Sequence, residues 1–91
     1  MDYDKVIQKY RSDYSRLAEA AKPGSIERHT YEQIVRFIDD GASRATHNPT
    51  PPQRGYEVSL ALKGLAQAVP EPEARKIAKK CANDFCRETG F

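Results

Sequence analysis

Cys81 and Cys86, His29 and His47, and the adjacent Asp39-Asp40 are the residues of this chain that could hold a metal, attack a carbonyl or move a proton. Their spacing argues against all three chemistries. Cysteines five residues apart on a helix are rotated about 140° from one another, so they do not face one site. No zinc spacing such as CxxC occurs, and Cys86, His29 and His47 do not amount to a ligand set. Cys81 falls among apolar residues and reads as a small core side chain. Adjacent aspartates on a helix point about 100° apart, which is poor geometry for an acid–base pair. Each histidine stands alone and reads as a surface or capping residue. Gly55 and Gly64 are too sparse for a phosphate cradle, and no nucleophile motif or dinucleotide fingerprint is present. The sequence therefore predicts no catalytic residue, no metal site and no cofactor.

Binding is the chemistry that is left. Arg75, Lys76, Lys79, Lys80 and Arg87 crowd into one short stretch. At helical spacing Lys76, Lys80 and Arg87, with Asn83 between them, form a stripe, with Arg75 and Lys79 beside it and Ala74, Ala78, Cys81 and Phe85 opposite. Such a face can follow a phosphate backbone through salt-sensitive contacts, or meet an acidic protein surface. The plainer reading is that it solvates the helix and complements its dipole. Tyr3, Tyr10 and Tyr14 share one seam near the start of the chain. Tyrosine is amphipathic and enriched in interfaces, so the seam predicts either the rim of the core or a face for a partner or a second copy. Pro49-Thr50-Pro51-Pro52-Gln53-Arg54 fits PxxPxR, the pattern of polyproline II ligands, in which Pro49, Pro52 and Arg54 would make the contacts. The alternative is a stiff connector between helices.

Four amphipathic helices must position these residues. Tyr3, Ile7, Tyr10, Tyr14, Leu17 and Ala21 repeat at steps of four and three and predict a helix over 4–21, closed by Lys22-Pro23-Gly24. Ile34, Val35, Phe37 and Ile38 mark a second over 26–45, capped by Ser25 or by a Thr30–Gln33 box. It stops at Asp39-Asp40-Gly41 or runs through to Ala45. Val58, Leu62, Leu65 and Val69 predict a third over 56–69, with Leu60 off that face. Pro72 opens a fourth over 72–88, and Gly90 stops it. The stretch 47–55 is then a proline-rich inter-helix loop. No strand pattern persists, so the expected fold is an all-α, single-domain bundle over residues 1–91.

Gln33 to Arg44 resembles the first helix and turn of some transposase and resolvase helix-turn-helix domains, over twelve residues. A recognition helix should follow within a few residues, and the prolines at 49, 51 and 52 are expected to forbid it. No family is claimed on this match.

Composition sets the outer bounds. Ninety-one residues make one domain, and 15 Lys+Arg against 13 Asp+Glu give a net charge of +2, too balanced to argue for nucleic acid by itself. The acidic start Met1-Asp2-Tyr3-Asp4 does not read as a signal peptide, and no apolar run approaches the ~18 residues of a membrane span. Two cysteines then read as reduced thiols in the cytoplasm. The sequence thus predicts a non-enzymatic helical protein that binds a larger protein as regulator, adaptor or inhibitor, of the kind phages and mobile elements encode. The competing reading is a nucleic-acid-binding regulator that uses the basic face of the last helix, as a dimer.

Overall fold

Four helices follow one another: α1 (Tyr3–Ala20), α2 (Ile26–Arg44), α3 (Pro51–Ala68) and α4 (Pro72–Thr89). They come from a computed structural model that describes residues 1–44 and 49–91. The described residues contain no strand, and none of the helices is long and apolar enough to cross a membrane.

The helix ends follow from local hydrogen bonding. The Asp2 carboxylate accepts the Lys5 N–H at 3.1 Å and starts α1. Of the two starts expected for α2, Ser25 is the one used: its hydroxyl accepts the Arg28 N–H at 3.1 Å. Thr30 lies a turn inside, and its hydroxyl donates to the Ile26 carbonyl at 2.7 Å. Gly41 does not stop α2, because the helix runs to Arg44. It marks a close crossing instead: a Cβ there would lie 2.8 Å from the Val58 Cα on α3. Ala45, the other expected end, lies outside the described residues.

The third helix corrects the sequence reading. It begins at Pro51, not near Tyr56, so residues 51–55 belong to a helix and not to a loop. Thr50 and Gln53 form the capping box: the Thr50 hydroxyl accepts the Gln53 N–H, and the Gln53 side chain accepts the Thr50 N–H at 2.9 Å. Proline is harmless in this first turn, where its missing N–H would have no helical acceptor and its φ is already suitable. His47 and Asn48, which open the expected loop, lie outside the described residues. The twelve-residue resemblance also loses its geometry. Residues 33–44 are unbroken helix with no turn at Gly41, and a helix does start at the prolines expected to forbid one.

Pairings across the bundle run in opposite directions along neighbouring helices. Tyr10 meets Phe85 and Glu88, whereas Tyr3 meets Phe91, so α1 and α4 are antiparallel. Arg11 pairs with Asp39 and Tyr14 with Tyr31, so α1 and α2 are too. The core is one cluster built from Ile7 and Tyr10, Ile34 and Ile38, Val58, Leu62 and Leu65, and Ala74, Ala78, Cys81 and Phe85. Phe85 has no exposed surface, and Tyr10 sets its ring edge-on against it at 5.3 Å between centroids. Leu17, expected on the buried seam of α1, is exposed, and its neighbour Ala18 is buried in its place. The heptad steps drift around a straight helix, so the stripe reaches Ala18 by the last turn.

Candidate binding face

The exposed side of α4 carries the five cations singled out in the sequence, but they are not equivalent. Arg75 is turned back on the chain. Its guanidinium donates to the carbonyls of Val69 and Pro70, each at 3.2 Å, and so closes the end of α3. Lys80 donates to the Asp84 carboxylate at 2.7 Å, and Arg87 approaches the other oxygen of the same carboxylate at 3.6 Å. The Lys80 hydrogen bond holds the Asp84 carboxyl below the usual carboxylate range. Lys76 and Lys79 differ from the rest. Both are exposed, and among the described residues no carboxylate lies within ion-pair distance of either. Exposed Asn83 stands between them and Arg87. A shallow trough of about 550 Å³ runs along this face.

Asp84 is the residue the sequence reading of the stripe left out. The signal was present, since it lies four residues after Lys80 and three before Arg87, the distances at which helical side chains meet.

Of the two readings of the tyrosine seam, the rings take the one in which they cover the core. Tyr10 is buried, and its hydroxyl donates to Glu88 at 2.8 Å. Tyr14 is half-buried, between the rings of Tyr10 at 6.5 Å and Tyr31 at 5.9 Å. Tyr3 packs on Phe91 at 5.6 Å. These rings are occupied within the bundle, so Tyr10 and Tyr14 offer no open face to a partner or a second copy. Burial pushes both phenols above their ordinary value. The Tyr10 hydroxyl, followed by Lys9 at 3.2 Å, holds the Glu88 carboxyl below its usual range.

The proline stretch is likewise not a ligand. Pro51 and Pro52 are helical and cannot adopt polyproline II. Arg54, the basic residue of the pattern, forms a two-pronged pair with Asp4 at 2.9 and 2.8 Å and donates to the Pro49 carbonyl at 2.8 Å. It ties α3 to the first turn of α1.

The chemistry-bearing residues stay apart. Cys81 is buried, and burial pushes its thiol up to about 12. Cys86 is half-buried and on a different side of α4. His29 is exposed on the lip of a groove of about 450 Å³ between the start of α2 and the α3–α4 turn, walled by Leu65, Val69 and Ala74. His47 lies outside the described residues. Among the described residues no three His, Cys, Asp or Glu side chains come together as a metal site.

What sequence reasoning missed is apolar. Tyr56, Leu60 and Phe91 are all exposed, and Tyr56 and Phe91 touch edge to face at 5.7 Å. The spacing shows Tyr56 and Leu60 one turn apart, but only the fold brings Phe91 beside them. Comparison of the chain with known protein families, with curated proteins and with solved structures finds no match.

Proposed function

We propose that this chain is a non-enzymatic docking protein whose α4 face meets an acidic surface of a larger protein, acting on it as regulator, adaptor or inhibitor. The observation that carries the reading is the contrast within the basic stripe. Lys76 and Lys79 stand exposed and unpaired among the described residues, while Arg75, Lys80 and Arg87 are engaged with the chain itself. Unpaired cations on a rigid helix steer an acidic partner and fix its register. A nucleic acid is the weaker fit, because a phosphate track along the stripe would run over the Asp84 carboxylate and gain few released counterions. Two free cysteines, one of them buried, suit a reducing cytoplasm.

The test has two arms. Fluorescence anisotropy with labelled duplex DNA, single-stranded DNA and RNA should show no binding that survives physiological salt. Affinity capture from the cells that make the chain should yield a protein that is lost with Lys76→Glu/Lys79→Glu. Nucleic-acid binding that persists at physiological salt with a steep salt slope would overturn the reading in favour of a phosphate-binding face.

A further inference from the structure

Of the glycines inside helices, Gly41 and Gly55 are explained within the chain. A Cβ at Gly41 would meet the Val58 backbone at 2.8 Å, and one at Gly55 would meet the Tyr3 ring at 2.9 Å and the Phe91 ring at 3.2 Å. Gly64 is different. A Cβ there would have nothing within 4 Å, and its backbone is not left-handed. Glycine at such a position costs α3 about 1 kcal/mol relative to alanine, and no contact inside the molecule accounts for it. Gly64 is exposed and lies one turn after Leu60, which is 41% exposed. Leu60 lies one turn after Tyr56, which is 49% exposed. The three belong to one outward stripe of α3 that also holds Glu57 and Lys63.

The stripe is complementary to itself. Tyr56 and Gly64 are each four residues from Leu60, and Glu57 and Lys63 are each three. In an antiparallel pair of α3 helices that cross at Leu60, Tyr56 therefore comes level with Gly64 of the second copy, and Glu57 with Lys63 of the second copy. The large ring lies over bare backbone, and unlike charges flank it. A parallel pair would set Tyr56 on Tyr56, Glu57 on Glu57 and Lys63 on Lys63. The parts are free to do this. Phe91 braces the Tyr56 ring edge to face at 5.7 Å. Glu57 has no cation within ion-pair distance among the described residues. Lys63 gives one hydrogen bond to the Phe91 carbonyl at 3.2 Å, and an ammonium has three to give. Arg54, the other cation of α3, is held by Asp4. A uniformly acidic helix laid on the stripe would meet Glu57, and a uniformly basic one Lys63. A net charge of +2 sets little repulsion against a second copy.

We propose that the outer stripe of α3 is a two-fold contact between copies of this chain, with Leu60 on the axis and Tyr56 of each copy seated on Gly64 of the other. Such a contact uses one patch twice and closes on itself, so it stops at a dimer. It is one helix wide, so the dimer dissociates at a concentration on the order of 10 µM.

The test is sedimentation equilibrium of the full chain under reducing conditions, from about 1 to about 500 µM, a range that brackets that estimate. The mass should rise from 10.3 kDa towards twice that value. Leu60→Glu puts two carboxylates on the axis and should keep the chain monomeric throughout. Leu60 is exposed, so the variant should keep its helical circular dichroism. Gly64→Gln separates the contact from the fold. It should stabilise the dilute monomer, because glutamine is the better helix former, yet raise the dissociation constant about tenfold. Glu57→Lys and Lys63→Glu should each raise it about fivefold, and an equal mixture of the two variants should recover association as a heterodimer. A parent chain that stays at 10.3 kDa to the highest concentration would overturn the proposal. So would association that survives Leu60→Glu, or a mixture that associates no better than its two components.

Discussion

The two long edges of α4 carry the same kinds of residue and use them in opposite ways. On the edge toward α1, Glu88 accepts from both the Tyr10 hydroxyl and Lys9, and Asp84 holds Lys80 and Arg87. On the outer edge Lys76 and Lys79 reach into solvent, and among the described residues no carboxylate lies within ion-pair distance of either. A charge already paired within the chain has its field largely cancelled, whereas an unpaired one keeps its potential for a partner. The tyrosines of α1 read in sequence as either the rim of the core or a docking face, and Tyr10 is buried while Tyr3 and Tyr14 pack half-buried against other rings of the bundle. The cations of α4 look like solubilising residues, and two of them are left available. Pairing, not residue type, separates the structural edge from the candidate binding edge.

The strongest way to break this comparison is to remove what the paired edge rests on. Phe85→Ala should cost about 3–5 kcal/mol in urea unfolding at neutral pH, since the ring is fully buried and Tyr10 packs edge-on against it. A loss below about 1 kcal/mol would mean that α1 and α4 are not locked together there. Gly41→Ala comes next. On propensity alone it would stabilise α2 by about 1 kcal/mol. The new Cβ would lie 2.8 Å from backbone that cannot swing aside, so the net effect should be a loss of about 1–3 kcal/mol. A stabilised variant would show that the α2–α3 crossing is looser than this.

These two residues also mark what could be read in advance. Phe85 sits in the periodic apolar stripe of α4, and periodicity is enough to show four helices and most of their buried sides, Leu17 and the first turn of α3 excepted. Gly41 was ambiguous because a helix stop and a helix crossing both favour glycine, and only α3 on the other side decides between them. The start of α3 was missed for a different reason. Thr50 and Gln53 carry the same capping spacing as Thr30 and Gln33, but the prolines between them read as breakers in sequence and belong to the first turn. On α4 the stripe of cations was legible from spacing. That Arg75 folds back on Val69 and Pro70 was not, because its acceptors are carbonyls exposed only by the end of another helix. Tyr56 and Phe91 meet because the start of α3 lies beside the residue that follows α4, and no local pattern joins them.

A smaller effect sharpens the paired edge. The Tyr10 hydroxyl is the largest cause of the depressed Glu88 carboxyl, whose ordinary value is 4.5. A carboxyl lowered on folding stabilises the protein above its unfolded value, and that stability drains away as pH falls through the folded one. Tyr10→Phe removes the hydroxyl and keeps the ring. It should lower the urea midpoint at pH 7, and the gap to the parent protein should shrink as pH drops from about 4.5 to 3. A gap that stays constant in acid would mean that Glu88 gains nothing from Tyr10. Tyr10 itself, raised above its ordinary 10.0 by burial, acts at the other end of the scale. Its contribution is complete below pH 10 and is lost in stronger alkali, so the phenylalanine variant should unfold less readily there than the parent does relative to its own neutral midpoint.

The smallest effect on stability is expected where the largest effect on binding is. Lys76→Glu/Lys79→Glu changes two exposed residues that touch no carboxylate, so the urea midpoint should move by less than about 0.5 kcal/mol equivalent. Lys80→Glu is the matched control, because it puts a second carboxylate one turn from Asp84 and should destabilise by about 0.3 kcal/mol or more. The pair of measurements decides whether the outer edge belongs to the fold. If reversing Lys76 and Lys79 lowered stability as much as reversing Lys80, those two lysines would be supporting the helix through contacts of their own. Nothing would then mark them as kept for a partner. If stability holds while capture of the partner is lost, the same helix is shown to divide its charges between folding and binding along the line that Asp84 draws.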